Sequence, residues 1–136
     1  MPHFLDTNVL LYSISRSPAE SVKRNRAIEL LEDDAGALSV QVLQEFYVQA
    51  TRQGRRSAIS HGLAAGLIEA WSRFRTQEMT LAVLQNSLRI RETYQFSFWD
   101  SAIVAAALAL RCDRLYTEDL QHGQAIEGLT IVNPFH

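Results

Sequence analysis

The sequence predicts an α/β fold, a parallel sheet with helices packed against it. Three observations carry the prediction. Short apolar runs bounded by turn residues alternate with longer segments of helical periodicity. One of those segments, FWDSAIVAAALALRC, is apolar nearly all round and therefore demands burial. Acidic residues close two of the short runs, and in open α/β sheets ligands bind beyond the carboxyl ends of the strands.

Taken in order, residues 3–6 read as a strand, followed at once by a helix to about Ser15. Ser17-Pro18 opens a second helix with Pro near its first turn and Ala27, Ile28, Leu30 and Leu31 as apolar positions. Gly36–Ser39 reads as a second strand, and the next helix carries Val40, Leu43, Tyr47 and Ala50 at spacings of three and four. A helical run from Ser57 to Phe74 places Leu63, Leu67 and Trp71 on one stripe. Residues 78–80 are a weak strand candidate before a helix over Leu81–Tyr94. Ser97 begins the apolar helix, and residues 115–117 and 130–132 close the pattern as short strands.

The 136 residues, 47% hydrophobic and 21% charged, suit a single domain over 1–136 with a substantial core. No apolar run is long enough to span a membrane, and the MPHFLD start lacks the charged and apolar regions of a secretory signal, so a cytoplasmic protein is expected. The lone Cys112 excludes an intrachain disulfide and a Cys-based zinc site. The formal charge of −2 does not announce a nucleic-acid partner. Yet twelve of the thirteen basic residues are Arg, grouped as Lys23-Arg24-Arg26, Arg52-Arg55-Arg56, Arg73-Arg75 and Arg89-Arg91. Arg presents a planar fork suited to phosphate, although solvated helix faces explain such groups equally. If four carboxylates are offset by bound cations, the remaining formal charge becomes +2.

Each candidate acid has a local alternative. Asp6 can serve as a helix N-cap, worth about 1 kcal/mol. Glu45 belongs to a polar stripe with Gln41, Gln49 and Arg52, which a solvated face explains. Asp100 falls in the first turn after Ser97, where a capping box and the helix dipole favour an acid. Asp119 follows Glu118 past a strand, as turn acids often do. Together they suggest more. Carboxylates converging at the strand ends of one sheet repel one another, and a divalent cation removes that conflict. An all-carboxylate oxygen site suits Mg²⁺ or Mn²⁺, ions that activate water and stabilise charge on a phosphoryl group.

At these residues the sequence resembles a known family. Phe4-Leu5-Asp6-Thr7-Asn8-Val9-Leu10-Leu11 is similar to the opening motif of PIN domains, especially the VapC-like toxins of bacterial toxin–antitoxin pairs. Val40-Gln41-Val42-Leu43-Gln44-Glu45-Phe46-Tyr47 resembles the helix bearing their second acid. Phe98-Trp99-Asp100-Ser101-Ala102-Ile103 resembles the third-acid motif, and Thr117-Glu118-Asp119-Leu120 the last. The four come in the family's order with similar spacing, over nearly the whole chain.

The resemblance implies a three-layer α/β/α fold around a five-stranded parallel sheet, and a metal-dependent endoribonuclease acting as a toxin. It implies Asp6, Glu45 and Asp100 as core ligands of Mg²⁺ or Mn²⁺, and Asp119 as a fourth acid for which Glu118 is the rival. Asn8 and Thr117 would hold carboxylates or the scissile phosphate. RNA as substrate, a cognate antitoxin and a homodimer follow from the same resemblance. The stretch from Arg52 to Arg91 matches only in helical character.

Competing readings remain. A metal-dependent DNA nuclease would use the same acids, and a catalytically silent PIN module would bind without cutting. An aspartyl phosphotransferase would want a second Asp where Asn8 stands, and a phospho-receiver domain would want a late Lys where the only Lys is Lys23. The four His residues are scattered and read as incidental, and Cys112 as a packing residue. Trp71 and Trp99 read as packing residues too, with base stacking as the alternative for Trp99.

Overall fold

The computed structural model describes residues 1–55 and 57–136; Arg56, one member of the Arg52, Arg55 and Arg56 group, lies outside the described residues. The strands are β1 (His3–Leu5), β2 (Gly36–Ser39), β3 (Arg75–Gln77), β4 (Arg114–Tyr116), β5 (Ala125–Ile126) and β6 (Leu129–Val132). The helices are α1 (Thr7–Ser13), α2 (Ser21–Glu32), α3 (Val40–Ala50), α4 (His61–Trp71), α5 (Leu81–Tyr94) and α6 (Phe98–Ala109), with a 3₁₀ turn at Pro18–Glu20.

The strands form one sheet in the order β3-β2-β1-β4-β6-β5. Five of them run parallel, and the two-residue β5 adds an antiparallel edge by pairing with β6. The five parallel strands are those the resemblance implied; the sixth is additional, too short to show a pattern in the sequence. Strand order turns back at β1, which pairs β2 on one side and β4 on the other, with Leu5 opposite Tyr116. That reversal opens a crevice beyond the carboxyl ends of β1 and β4. Right-handed crossovers place α1 to α4 on one face and α5 with α6 on the other. The core between them is a single cluster that includes Phe4, Leu5, Leu10, Leu38, Phe46 and Leu115.

Several elements differ in detail from the sequence expectations. The third strand is Arg75–Gln77, earlier than residues 78–80, because Ala37, Leu38 and Ser39 of β2 pair Arg75, Thr76 and Gln77 through the backbone. The second helix is split by the 3₁₀ turn that Pro18 begins. In α3 the deep face is Val42, Phe46 and Ala50, whereas Leu43 and Tyr47 are only partly buried. Leu63 of α4 is exposed, and Ala64 with Trp71 carries the buried contact. The apolar helix behaves as predicted: Ser101 to Ala107 are buried without a break. Among the described residues no helix is long and apolar enough to cross a membrane.

Candidate active site

The site grows from the ends of β1 and β4. β1 stops at Leu5 because Asp6 turns the chain into α1 as its N-cap, accepting the Thr7 N–H at Oδ1 over 2.7 Å. The capping explanation for Asp6 is therefore correct as far as it goes. The other oxygen, Oδ2, accepts the Thr117 hydroxyl at 2.7 Å, so the residue after β4 grips the residue after β1. Thr117 Oγ1 also accepts the Asp119 N–H at 3.1 Å, and the Asn8 side-chain amide donates to Asp119 Oδ2 at 3.1 Å.

Glu45 arrives from α3. The Thr7 hydroxyl donates to its Oε1 at 2.7 Å and the Gln41 amide to its Oε2 at 3.3 Å. This is a correction to the solvated-face explanation: Glu45 is half-buried and Gln41 buried, because the polar stripe of α3 borders the crevice. Asp100 sits in the first turn of α6, where its N–H donates to the Ser97 hydroxyl at 3.1 Å. That is the predicted cap, and it sets Asp100 on the wall of the crevice.

All four acids line one cavity of about 390 Å³, together with Asn8, Tyr12 and Arg55. Only 4% of Asp6 is exposed. Burial pushes its carboxyl up to about 7; the Thr117 and Thr7 hydrogen bonds oppose the rise, and Asp119 and Glu45 add to it. Asp100 is raised too, first by burial, against its Ser97 bond and with help from Asp119 and Glu45. Asp6, Glu45 and Asp119 are each held by their own donors. Among the described residues, no group of three His, Cys, Asp or Glu side chains forms a ready-made ion-holding cluster.

Glu118 lines the same cavity, but its carboxylate has different partners. It accepts the Tyr12 hydroxyl at 2.6 Å and lies 3.3 Å from Lys23 Nζ, whereas among the described residues the Asp119 carboxylate has only the Asn8 amide as a side-chain donor. Of the basic groups, Arg55 lines the cavity and Arg52 a groove beside it. Arg73 donates to the Leu31 carbonyl and Arg89 pairs with Glu127, both away from the acids.

Sequence reasoning passed over Thr7, Gln41 and Tyr12 as site residues, and named Arg55 only within a basic group suited to phosphate. Thr7 carried a signal in its place beside Asp6; the others become neighbours only through the fold. Trp99 is a second correction: it is 61% exposed, so packing does not account for it, whereas Trp71 at 5% is a core residue as expected. Cys112 is buried with its thiol pushed up to about 11 by burial, a packing residue and a poor nucleophile.

The PIN domain family model matches residues 3–125, and the chain belongs to that family. Solved structures with similar folds include three from toxin–antitoxin systems. A Klebsiella pneumoniae toxin–antitoxin complex is 22% identical over 98% of both chains, with a TM-score of 0.73. Mycobacterium tuberculosis VapC20, a sarcin–ricin loop cleaving toxin, is 20% identical over 86% of this chain and 89% of its own, at 0.66. A Rickettsia felis VapBC2 structure bound to a promoter DNA fragment is 20% identical over 96% and 97%, at 0.64. At such identities the likeness establishes the fold. No curated protein sequence matches significantly.

Proposed function

We propose that this protein is a divalent-cation-dependent endoribonuclease and the toxin of a toxin–antitoxin pair. The observation that carries the reading is the convergence of Asp6, Glu45, Asp100 and Asp119 on one cavity at the point where strand order reverses.

The residues suit Mg²⁺ or Mn²⁺. The donor set is all oxygen. Burial, with added repulsion from Asp119 and Glu45, holds Asp6 and Asp100 above their ordinary values, a cost that a cation offsets. Asn8 adds a buried side-chain carbonyl oxygen with no donor among the described residues, a place for water carried by an ion. Asp6, Glu45, Asp100 and Asp119 would hold the ion, which when bound acidifies a water and offsets charge on the phosphoryl group.

The chain's own residues do the rest. Thr117 and Asn8 fix Asp6 and Asp119, while Thr7 and Gln41 fix Glu45. Arg55 at the cavity wall meets the phosphodiester. Water adds to phosphorus as the bond to the 3′ oxygen breaks, and no side chain forms a covalent intermediate. A cognate antitoxin is supported by the toxin–antitoxin complexes among the similar structures. A homodimer is what the resemblance to VapC-like toxins implies.

The deciding experiment is RNA cleavage by antitoxin-free protein with Mn²⁺ or Mg²⁺, beside Asp6→Asn and Asp100→Asn. Cleavage lost in both variants and under chelation is the expected result. Variants that cut as well as wild type overturn the acidic-site mechanism. Preference for DNA in a competition assay overturns the RNA assignment.

A further inference from the structure

We infer that Trp99 is the stacking platform of a nucleobase subsite, which receives a base next to the phosphate held over the acidic cavity. The inference rests on the nuclease reading above and deepens it by assigning part of the substrate path.

A Trp that is 61% exposed leaves a large aromatic face open to solvent beside the acidic cavity. The ring is braced: Phe98 packs edge-on against it, with centroids 5.0 Å apart and planes at 78°. Its backbone is braced as well, since the Trp99 carbonyl accepts the Gln41 amide at 3.1 Å. A braced aromatic face is what base stacking requires, because little side-chain freedom remains to be lost on binding.

Trp99 is one wall of a groove of about 320 Å³, whose lining includes Val48, Gln44, Gln49 and Arg52. Glu45 and Gln49 line both this groove and the acidic cavity, so the two are continuous. Glutamine amides offer donors and acceptors to base edges, and the Arg52 guanidinium suits the flanking phosphate. Gln41, itself only 6% exposed, also borders the groove and keeps a side-chain oxygen with no donor among the described residues. A protein partner would gain from Trp99 and Val48, but it would have to cover these amides and Arg52 too. An unpaired base with its phosphate uses both kinds of group.

The test has two independent readouts. In metal-free buffer, wild-type protein is titrated with short oligoadenylate and its Trp emission followed; Trp71 is buried against Phe46, so quenching reports Trp99. With metal, cleavage of an RNA substrate is compared in Trp99→Ala, Trp99→Phe and wild type. The expected result is quenching, a KM raised about 5- to 100-fold in Trp99→Ala with kcat less affected, and recovery of most of the loss in Trp99→Phe. Wild-type cleavage without quenching, and with KM unchanged in Trp99→Ala, overturns the subsite while the nuclease reading stands. Quenching without any cleavage supports the subsite and removes the nuclease reading. Loss of a dimer in Trp99→Ala, with RNA affinity unchanged, reassigns Trp99 to a protein interface and overturns the inference.

Discussion

The Thr117 hydroxyl donates to Asp6 Oδ2 at 2.7 Å, joining two residues 111 positions apart in the chain. The bond exists because β1 and β4 are parallel neighbours with Leu5 opposite Tyr116, which leaves the next residue of each strand side by side. Thr117 is fully buried, so no water replaces its hydroxyl if it is removed.

Thr117→Val keeps the shape and deletes that donor. A hydrogen bond to a charged group contributes about 1.5–3 kcal/mol, so cleavage at neutral pH is expected to fall about 10- to 100-fold. The bond favours ionised Asp6, so the acid limb of the pH–rate profile should also move to higher pH. Thr117→Ser should recover both. A profile unmoved in Thr117→Val would show that Thr117 only packs.

Asp6 makes stability depend on pH in an uncommon direction for a carboxylate. Its folded value of about 7 lies above the ordinary 3.8, so between these values the folded chain binds a proton that the unfolded chain has lost. The contribution is fully present below about pH 4 and is lost as pH rises through about 7, a change on the order of a few kcal/mol. Metal-free wild type should therefore lose Tm across that window more steeply than Asp6→Asn. Mn²⁺ should restore Tm more near pH 7.5 than near pH 5, since a cation gains most from ionised carboxylates. Parallel Tm–pH curves for wild type and Asp6→Asn would refute the burial argument.

Asp119 and Glu118 are separated by their partners. Glu118 is occupied by Tyr12 and Lys23, a half-exposed ion pair worth at most about 1 kcal/mol. Glu118→Gln should leave cleavage within about fivefold of wild type, whereas Asp119→Asn should lower it at least about tenfold, a difference of order 1 kcal/mol or more in transition-state stabilisation. The reverse order would make Glu118 the fourth acid.

α5 ends at Gln95, held in the left-handed region at φ 64 with its N–H on the Arg91 carbonyl. A side chain there costs about 1 kcal/mol relative to glycine. Gln95→Gly should raise the denaturation free energy by roughly that amount, less the loss of the exposed bond from Gln95 to the Glu92 carbonyl. A destabilised variant in chemical denaturation would show that the side-chain bond outweighs the backbone strain.

Much of the architecture was legible because its determinants are local. β2 and α5 fall on their expected residues: β2 is buried throughout, and α5 lies between the Thr80 cap and the turn at Gln95. The buried helix α6 followed from an apolar run too wide for a surface helix. β3 was misplaced because Arg75, Thr76 and Gln77 carry no apolar alternation; backbone bonds to β2 make them a strand. In α3 two apolar stripes compete, and contact with the sheet chooses Val42 and Phe46 over Leu43 and Tyr47.

By itself, the sequence determined the α/β class and the order of the four acids along the chain, since hydrophobic period, caps and motif spacing act within a few residues of themselves. Only the tertiary structure decided that Thr117 holds Asp6, that Thr7 holds Glu45, that Glu118 is paired with Tyr12 and Lys23 and that Trp99 faces solvent beside the acids. Those relations depend on which strands become neighbours and in what register, and a single parallel pairing of β1 with β4 sets residues 111 apart within hydrogen-bond reach.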